Sequence, residues 1–308
     1  MKKLIAVFMI GLVLPFAASA EKTPCWGEYG GISHCEGSRF VCNNGKYSGT
    51  QKICSGYEKK KHVKNKPAPV SIDISNIEDV KKTEITKSGN VLKLDYQGFT
   101  LWLDCEKRGV VKFQYNLQHD SGNEPGAKDF KLDPSVPKEC QQTSTATYGH
   151  GYDRGRQVPA NHLDYSPEAI KQSNYMTNIL PQTMQMAQGA WLQTEQIIEC
   201  YRDIDKLLVI GGVIWGDNPA DDYFVKSHGV KTPDAFWKVV IRGAEKDEQA
   251  IAWVVPNSKD ATENNLDDYL VSLGELEIIT GEKIPVANFI KNDKPSASWV
   301  IPAGCKRR

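Results

Sequence analysis

Residues 148–160 read YGHGYDRGRQVPA, a glycine-rich and charged stretch near the middle of a chain of 308 residues. Before it, strand-like apolar runs alternate with turns, and after it two stretches with helical spacing lead into further apolar strands. The strands are predicted at 91–96, 100–103, 110–117, 207–215, 237–241 and 251–255, and the helices near 166–174 and 183–201. This order predicts an α+β domain over residues 89–308, with a central antiparallel sheet flanked by helices.

The first 88 residues divide into three segments by composition. Residues 1–20 combine a basic start, an apolar run and the ending Ala18-Ser19-Ala20, which is the pattern of a cleaved signal peptide. Residues 21–56 are rich in Gly, Ser, Asn and Cys and predict a small disulfide-stapled segment, which is either a binding or anchoring module or only an N-terminal extension. Residues 57–88 start with a basic stretch and alternating prolines, which predicts an extended linker. We expect a secreted or periplasmic protein that has no membrane segment after signal cleavage.

All eight cysteines follow the predicted signal peptide, which favours disulfides over metal thiolates. They form two groups of four, and each group allows three pairings that spacing alone does not choose between. Within the second group, one hypothesis pairs Cys105 with Cys140 and Cys200 with Cys305. The first group comprises Cys25, Cys35, Cys42 and Cys54.

The charge balance gives no general attraction to nucleic acid, because 38 basic residues face 38 acidic ones. Any attraction has to come from local patches. The basic stretch at 59–66 has two interpretations, a phosphate-attracting arm or a simply solvated linker.

Residues 148–160 closely resemble the signature of the DNA/RNA non-specific endonuclease family, a branch of the ββα-metal (His-Me finger) nucleases. Further blocks in the same order carry the resemblance across about 200 residues; they lie at 175–182, 189–195, 212–214, 232–239 and 274–277. The resemblance implies the ββα-metal nuclease fold and phosphodiester hydrolysis. In that family a histidine is the general base, and Mg²⁺, held mainly by an asparagine, neutralises charge on the phosphate.

Carried over position by position, these roles are only partly kept. Arg154 matches the arginine beside the base, Glu195 matches the acidic residue that orders the water shell of the metal, and Asn178 matches the supporting asparagine. The base position is Arg156, which stays protonated at physiological pH and cannot take a proton from water. The metal-ligand position is Ala187, whose side chain offers no oxygen to a cation.

Helical spacing agrees with this alignment, because Ala187, Trp191 and Glu195 would share one face of a helix over 183–201. The two substitutions are also mutually consistent, since a cation at Arg156 repels a nearby metal ion. We therefore expect Mg²⁺ as the cofactor only if the protein is active, and otherwise none. His150 and His162 are the candidates for a substitute base.

Three functions remain open at this point. The first is a catalytically impaired nuclease relative that binds nucleic acid or phosphate through Arg154 and Arg156. The second is an active Mg²⁺-dependent endonuclease that uses a displaced base such as His150 or His162. The third is a protein-binding role in which residues 21–56 contact a partner and the larger domain is a scaffold.

Overall fold

The computed structural model describes residues 32–36, 39–42, 45–48, 84–217 and 219–305. The chain separates into two compact units, residues 1–71 and 72–308. The predicted signal peptide and the predicted linker up to residue 83 lie outside the described residues. Among the helices that are described, none is long and apolar enough to cross a membrane.

The described part of the first unit is a β-hairpin. Strand β1 (Ile32–Glu36) pairs antiparallel with β2 (Arg39–Cys42), and Val41 and Cys42 at the end of β2 are buried. Cys42 is disulfide-bonded. The predicted pairing among the other cysteines of this group lies outside the described side chains.

The described part of the second unit is an α+β domain, as predicted. Its strands, in chain order, are β3 (Glu84–Ser88), β4 (Val91–Tyr96), β5 (Phe99–Asp104), β6 (Gly109–Leu117), β7 (Tyr152–Arg156), β8 (Ile179–Thr183), β9 (Leu207–Ile214), β10 (Ala235–Arg242), β11 (Gln249–Pro256) and β12 (Leu270–Val271). Its helices are α1 (Pro167–Ser173), α2 (Met184–Gln188), α3 (Ala190–Tyr201) and α4 (Leu273–Thr280). The predicted linker ended at residue 88, which is five residues too late, because 84–88 form β3 and pair with β4.

Eight of these strands form one antiparallel sheet in the order β12-β11-β10-β9-β6-β5-β4-β3. Next to the edge strand β3 the burial pattern alternates: in β4, Leu92, Leu94 and Tyr96 are buried and their neighbours are half-buried. In the centre, β9 and β10 are buried on both faces. Helix α3 packs against one face through Trp191, Ile197 and Ile198. Helix α4 packs against the other, so the sheet lies between two apolar layers.

The segment between β6 and β9 carries the motif. In it, β7 and β8 form a two-stranded antiparallel sheet, with Arg154 opposite Pro181 and Arg156 opposite Ile179. Position 155 in β7 is glycine for a steric reason, because a Cβ there would overlap the side chain of Gln182.

The prediction of a single helix over 183–201 is wrong, because the structure has two helices there. The structure breaks it at Gly189, whose backbone (φ −113°, ψ −110°) separates α2 from α3. A side chain at Gly189 would overlap the carbonyl of Gln185, and the next residue donates its amide hydrogen to the carbonyl of Ala261 at 3.1 Å. The break therefore depends on a contact with a distant part of the chain.

Two disulfides close this unit. Cys105 is bonded to Cys140 and Cys200 to Cys305, which confirms the pairing hypothesis for the second group. The second bond attaches the C-terminal segment to the end of α3.

Candidate active-site cleft

A cleft of about 550 Å³ lies along β7 and extends to α2 and α3. The motif residues at 153–156, the helix residues Ala187, Gln188, Trp191 and Glu195, and the loop residues near 123–126 and 159–164 line it. The cleft thus brings together Arg154, Arg156, Ala187 and Glu195, although the helix between the last two is broken.

The two motif arginines stack on one aromatic ring. The guanidinium carbon of Arg154 lies 4.0 Å from the ring centroid of Phe130, and that of Arg156 lies 4.9 Å from it. Alternate residues of a strand point to the same side, which explains why both side chains reach this ring. Cation–π attraction to the ring offsets part of the repulsion between two neighbouring positive charges.

Arg156 is fixed in orientation by Asn174. Its Nε donates a hydrogen bond of 2.9 Å to Oδ1 of Asn174, whose Nδ2 donates in turn to the carbonyl of Ala127 at 2.7 Å. Burial lowers the pKa of Arg156, with Glu195 raising it and Arg154 lowering it. The guanidinium pKa starts so high that Arg156 stays a cation at neutral pH.

A buried lysine lies behind Glu195. Nζ of Lys238 is 4.0 Å from Oε1 of Glu195, and the side chain of Lys238 has no exposed surface. The ammonium donates to the Thr194 hydroxyl at 2.8 Å and lies 3.7 Å from the ring centroid of Trp191. Burial lowers the pKa of Lys238 to about 8, although Glu195 acts to raise it.

Burial raises the pKa of Glu195, whereas Lys238 and Arg156 lower it. This carboxylate therefore has two cationic neighbours already. Ala187 adds only a methyl group to the cleft. The side-chain Nε2 of the adjacent Gln188 donates a hydrogen bond of 2.9 Å to Oδ2 of Asp153. Within the described residues, no three His, Cys, Asp or Glu side chains are grouped so that they could hold a metal ion. The Mg²⁺ site that the resemblance implied needs an asparagine oxygen at position 187, where this chain offers only a methyl group, so the residues present do not fit that site.

Asn178 is completely buried. Its side chain accepts a hydrogen bond from the amide of Val158 at 3.0 Å and donates to the carbonyls of Val158 and Ser173 at 2.9 and 2.8 Å. Asn178 thus connects the loop that follows β7 to the end of α1, and it supports the cleft wall without lining the cleft.

Neither substitute base is among the side chains that line the cleft in the described part of the chain. His162 has no exposed surface; its Nδ1 lies 3.0 Å from the Tyr115 hydroxyl and its Nε2 lies 3.2 Å from the carbonyl of Glu195. Burial lowers its pKa well below the usual histidine value. His150 is exposed and stacks on Tyr223 with 4.7 Å between ring centroids. This placement gives no support to either histidine as a base in the cleft.

Three residues of this site were not predicted from the sequence: Phe130, Asn174 and Lys238. Lys238 and Asn174 lie within or next to blocks that carried the resemblance, but their sequence positions alone do not reveal their contacts with Glu195 and Arg156. Phe130 follows a polar loop and carries no sequence signal of its role.

Comparisons with known proteins agree with this architecture. A family model described as DNA/RNA non-specific endonuclease matches residues 78–291, and a model named YdcA matches residues 25–56. The mitochondrial nuclease EXOG of Xenopus laevis is 30% identical over 166 residues, which is 49% of this chain and 46% of that protein. YdcA of Escherichia coli is 46% identical over 56 residues, 18% of this chain and 98% of that protein.

The crystal structure of the EndoG/EndoGI complex contains a chain that shares 19% identity with this one. The TM-score is 0.53, and the match covers 72% of this chain and 95% of that one, which supports the fold alone. The chain spans about half the length of the curated EXOG relatives that it matches. Since the first family model matches more than half of the chain, the chain belongs to the DNA/RNA non-specific endonuclease family.

Proposed function

We propose that this protein binds nucleic acid through the phosphates, at the former nuclease cleft, and does not cut it. The observation that carries the proposal is the pair Arg154 and Arg156 on the shared ring of Phe130 in this cleft. The resemblance assigns the base to position 156 and the metal ligand to position 187, where this chain has Arg156 and Ala187. A guanidinium presents planar donors that match phosphate oxygens, and two of them side by side form a clamp.

The hydrogen-bonding capacity of the pair supports this proposal. Arg156 uses Nε for Asn174, and Arg154 uses Nη1 for the carbonyl of Thr145 at 2.8 Å. In the described part of the chain, the two Nη groups of Arg156 and Nη2 of Arg154 make no hydrogen bond. These donors are held in place by their neighbours and are available to an anion.

The same geometry argues against hydrolysis. An arginine cannot deprotonate water, and the histidines nearest in sequence are either buried or stacked outside the cleft. At neutral pH Lys238 is mostly protonated and places a cation beside Glu195, to which the resemblance assigns the ordering of the water shell of a metal.

We also propose that the protein is exported. The predicted signal peptide at 1–20 and the two disulfides of the larger unit support this, since disulfides persist in oxidising compartments. A separate proposal assigns residues 21–56 a protein partner. The YdcA match, which covers almost all of that short protein, shows a similar segment in a protein of its own and supports a separate module here. Partner capture by the full chain that is lost when residues 21–56 are deleted would support it, and capture that survives the deletion would contradict it.

The test of the nucleic-acid proposal uses supercoiled plasmid with Mg²⁺ and the full mature chain. We expect the plasmid to stay intact and to migrate more slowly in a gel. The Arg154→Gln/Arg156→Gln variant should lose this shift, while Lys246→Gln, a change at an exposed lysine outside the cleft, should keep it. Metal-dependent cutting that disappears in His150→Asn would replace this proposal by an active enzyme with a displaced base.

A further inference from the structure

A group of aromatic side chains lies beside the arginine cleft and takes no part in it. His150 and Tyr223 stack almost parallel, with 4.7 Å between centroids and 7° between planes, and Tyr152 lies 6.2 Å from Tyr223. We call these three residues, His150, Tyr152 and Tyr223, the aromatic ledge. Tyr223 has 50% of its surface exposed and His150 is exposed as well, so the ledge presents ring surface to solvent.

The ledge is held rigidly from below. Phe224 is buried beneath these rings. Its ring centroid lies 5.4 Å from that of Tyr152, 6.1 Å from that of His150 and 4.7 Å from that of Tyr148. A ring that is already fixed loses little conformational freedom when a ligand stacks on it.

The backbone at His150 is unusual. Gly149, His150 and Gly151 all have positive φ, at 76°, 53° and 81°. Glycine adopts this conformation freely, but a histidine does so at a cost in free energy. Such strain persists where surrounding contacts impose it, and here the stack on Tyr223 is one of those contacts. The turn at 149–151 thus holds the exposed ring of His150 against Tyr223.

The ledge is continuous with the arginine pair. Tyr152 and Arg154 are two residues apart on β7 and point to the same side, about 7 Å apart along the strand. The charge of Arg154 also acts on the hydroxyl of Tyr148, the buried ring under the ledge, whose pKa burial raises. Cationic donors and exposed aromatic rings are therefore adjacent on one surface.

We propose that the aromatic ledge stacks with the bases of single-stranded nucleic acid whose phosphates are held by Arg154 and Arg156. The inference rests on the proposed function and specifies its substrate class. Surfaces that bind single-stranded nucleic acid combine cationic donors for the phosphates with aromatic rings on which the bases stack. The bases of a duplex are already stacked and paired, so they are not available to the rings. A duplex would gain contact with the arginines only.

A nearby carboxylate sets the direction in which a nucleic-acid strand would lie. Burial raises the pKa of Tyr152, and the negative charge of Asp221 raises it further. A phosphate over the ledge would be repelled by this acid, whereas an uncharged base would not. The sugar-phosphate backbone is therefore expected over the arginines and the bases over the rings.

The test compares three labelled probes of equal length by fluorescence anisotropy: an oligothymidylate, an abasic deoxyribose-phosphate oligomer and a DNA duplex. Wild-type protein should bind the oligothymidylate at least about fivefold more tightly than the abasic oligomer, because one stacked base contributes that much. Tyr223→Leu and His150→Asn should remove this preference and leave abasic binding unchanged. Tyr223→Phe keeps the ring and should keep the preference.

The outcomes separate the two proposals. If the abasic oligomer binds in a way that depends on Arg154 and Arg156 but bases add no affinity, the ledge proposal is wrong and the phosphate clamp stands. Equal losses on both single-stranded probes in Tyr223→Leu would also overturn the ledge. If wild-type protein binds none of the probes, both proposals fail.

Discussion

Nε of Arg156 donates a hydrogen bond of 2.9 Å to Oδ1 of Asn174, and this contact fixes a cation at the position to which the resemblance assigns the base. Asn174 is almost fully buried, and its amide nitrogen is anchored on the carbonyl of Ala127. The arginine is thus oriented by a dedicated partner.

Replacing this partner should affect both stability and binding. Asn174→Ala leaves the carbonyl of Ala127 without its donor and Arg156 without its acceptor, so we expect a loss of about 1–3 kcal/mol in the free energy of unfolding. Nucleic-acid affinity should fall too, since Arg156 is no longer held. Urea denaturation and anisotropy measure the two effects. Full affinity in a folded Asn174→Ala protein would contradict the orienting role.

The phosphate clamp predicts a specific salt dependence. Each lost phosphate contact lowers the slope of log affinity against log salt by about 0.7–0.9. Arg154→Gln and Arg156→Gln should each reduce the slope by about that amount, and Lys246→Gln should leave it unchanged. Titrations of one oligonucleotide at several salt concentrations give the slopes. Identical slopes in all four proteins would exclude phosphate contacts by the arginine pair.

Lys238 predicts a pH dependence of stability. Its pKa is lowered from 10.5 to about 8 in the folded protein, so the unfolded chain binds more protons between these values. The free energy of unfolding therefore gains a contribution that rises with pH from about 8 to 10.5. Lys238→Met should remove this rise relative to wild type, as measured by urea denaturation at intervals between those limits.

Lys246→Met is the matched control for this measurement, because Lys246 is exposed. Its profile should run parallel to that of wild type. A Lys238→Met profile that is also parallel would show that the lysine keeps its ordinary pKa in the folded state.

The two disulfides should differ in their effect on stability. The Cys200–Cys305 bond spans 105 positions and the Cys105–Cys140 bond 35. The constraint that a disulfide places on the unfolded chain grows with loop length. Replacing Cys200 and Cys305 by alanine should therefore lower the free energy of unfolding by about 1 kcal/mol more than replacing Cys105 and Cys140. Thermal unfolding of both double variants tests the order. The reverse order would show that native-state packing outweighs chain entropy here.

The fold was largely predictable from local pattern, and the cleft was predictable in part. Alternation such as that in β4, and the order of strands and helices, indicated the antiparallel sheet because burial of one face imposes a period of two on a strand. The break at Gly189 was not predictable, because helical spacing continues through it and the contact that ends α2 comes from Ala261. The motif alignment identified Arg154, Arg156, Ala187 and Glu195 as neighbours.

The partners of the arginines could not be predicted. Phe130 and Asn174 lie 26 and 18 positions from Arg156, and only the folded chain brings the ring and the amide to the guanidinium. Lys238 reads as an ordinary strand residue, and its burial beside Glu195 depends on the packing of α3 against β10.

The most direct test of the central claim, that this cleft has lost both base and metal ligand, is a plasmid cleavage assay with Mg²⁺. Wild type, Arg156→His, Ala187→Asn and the double variant are compared at equal concentration. We expect no cutting by wild type or either single variant, and Mg²⁺-dependent cutting only by the double variant, which regains a base and an oxygen ligand. Mg²⁺-dependent cutting by the purified wild-type protein would contradict the account.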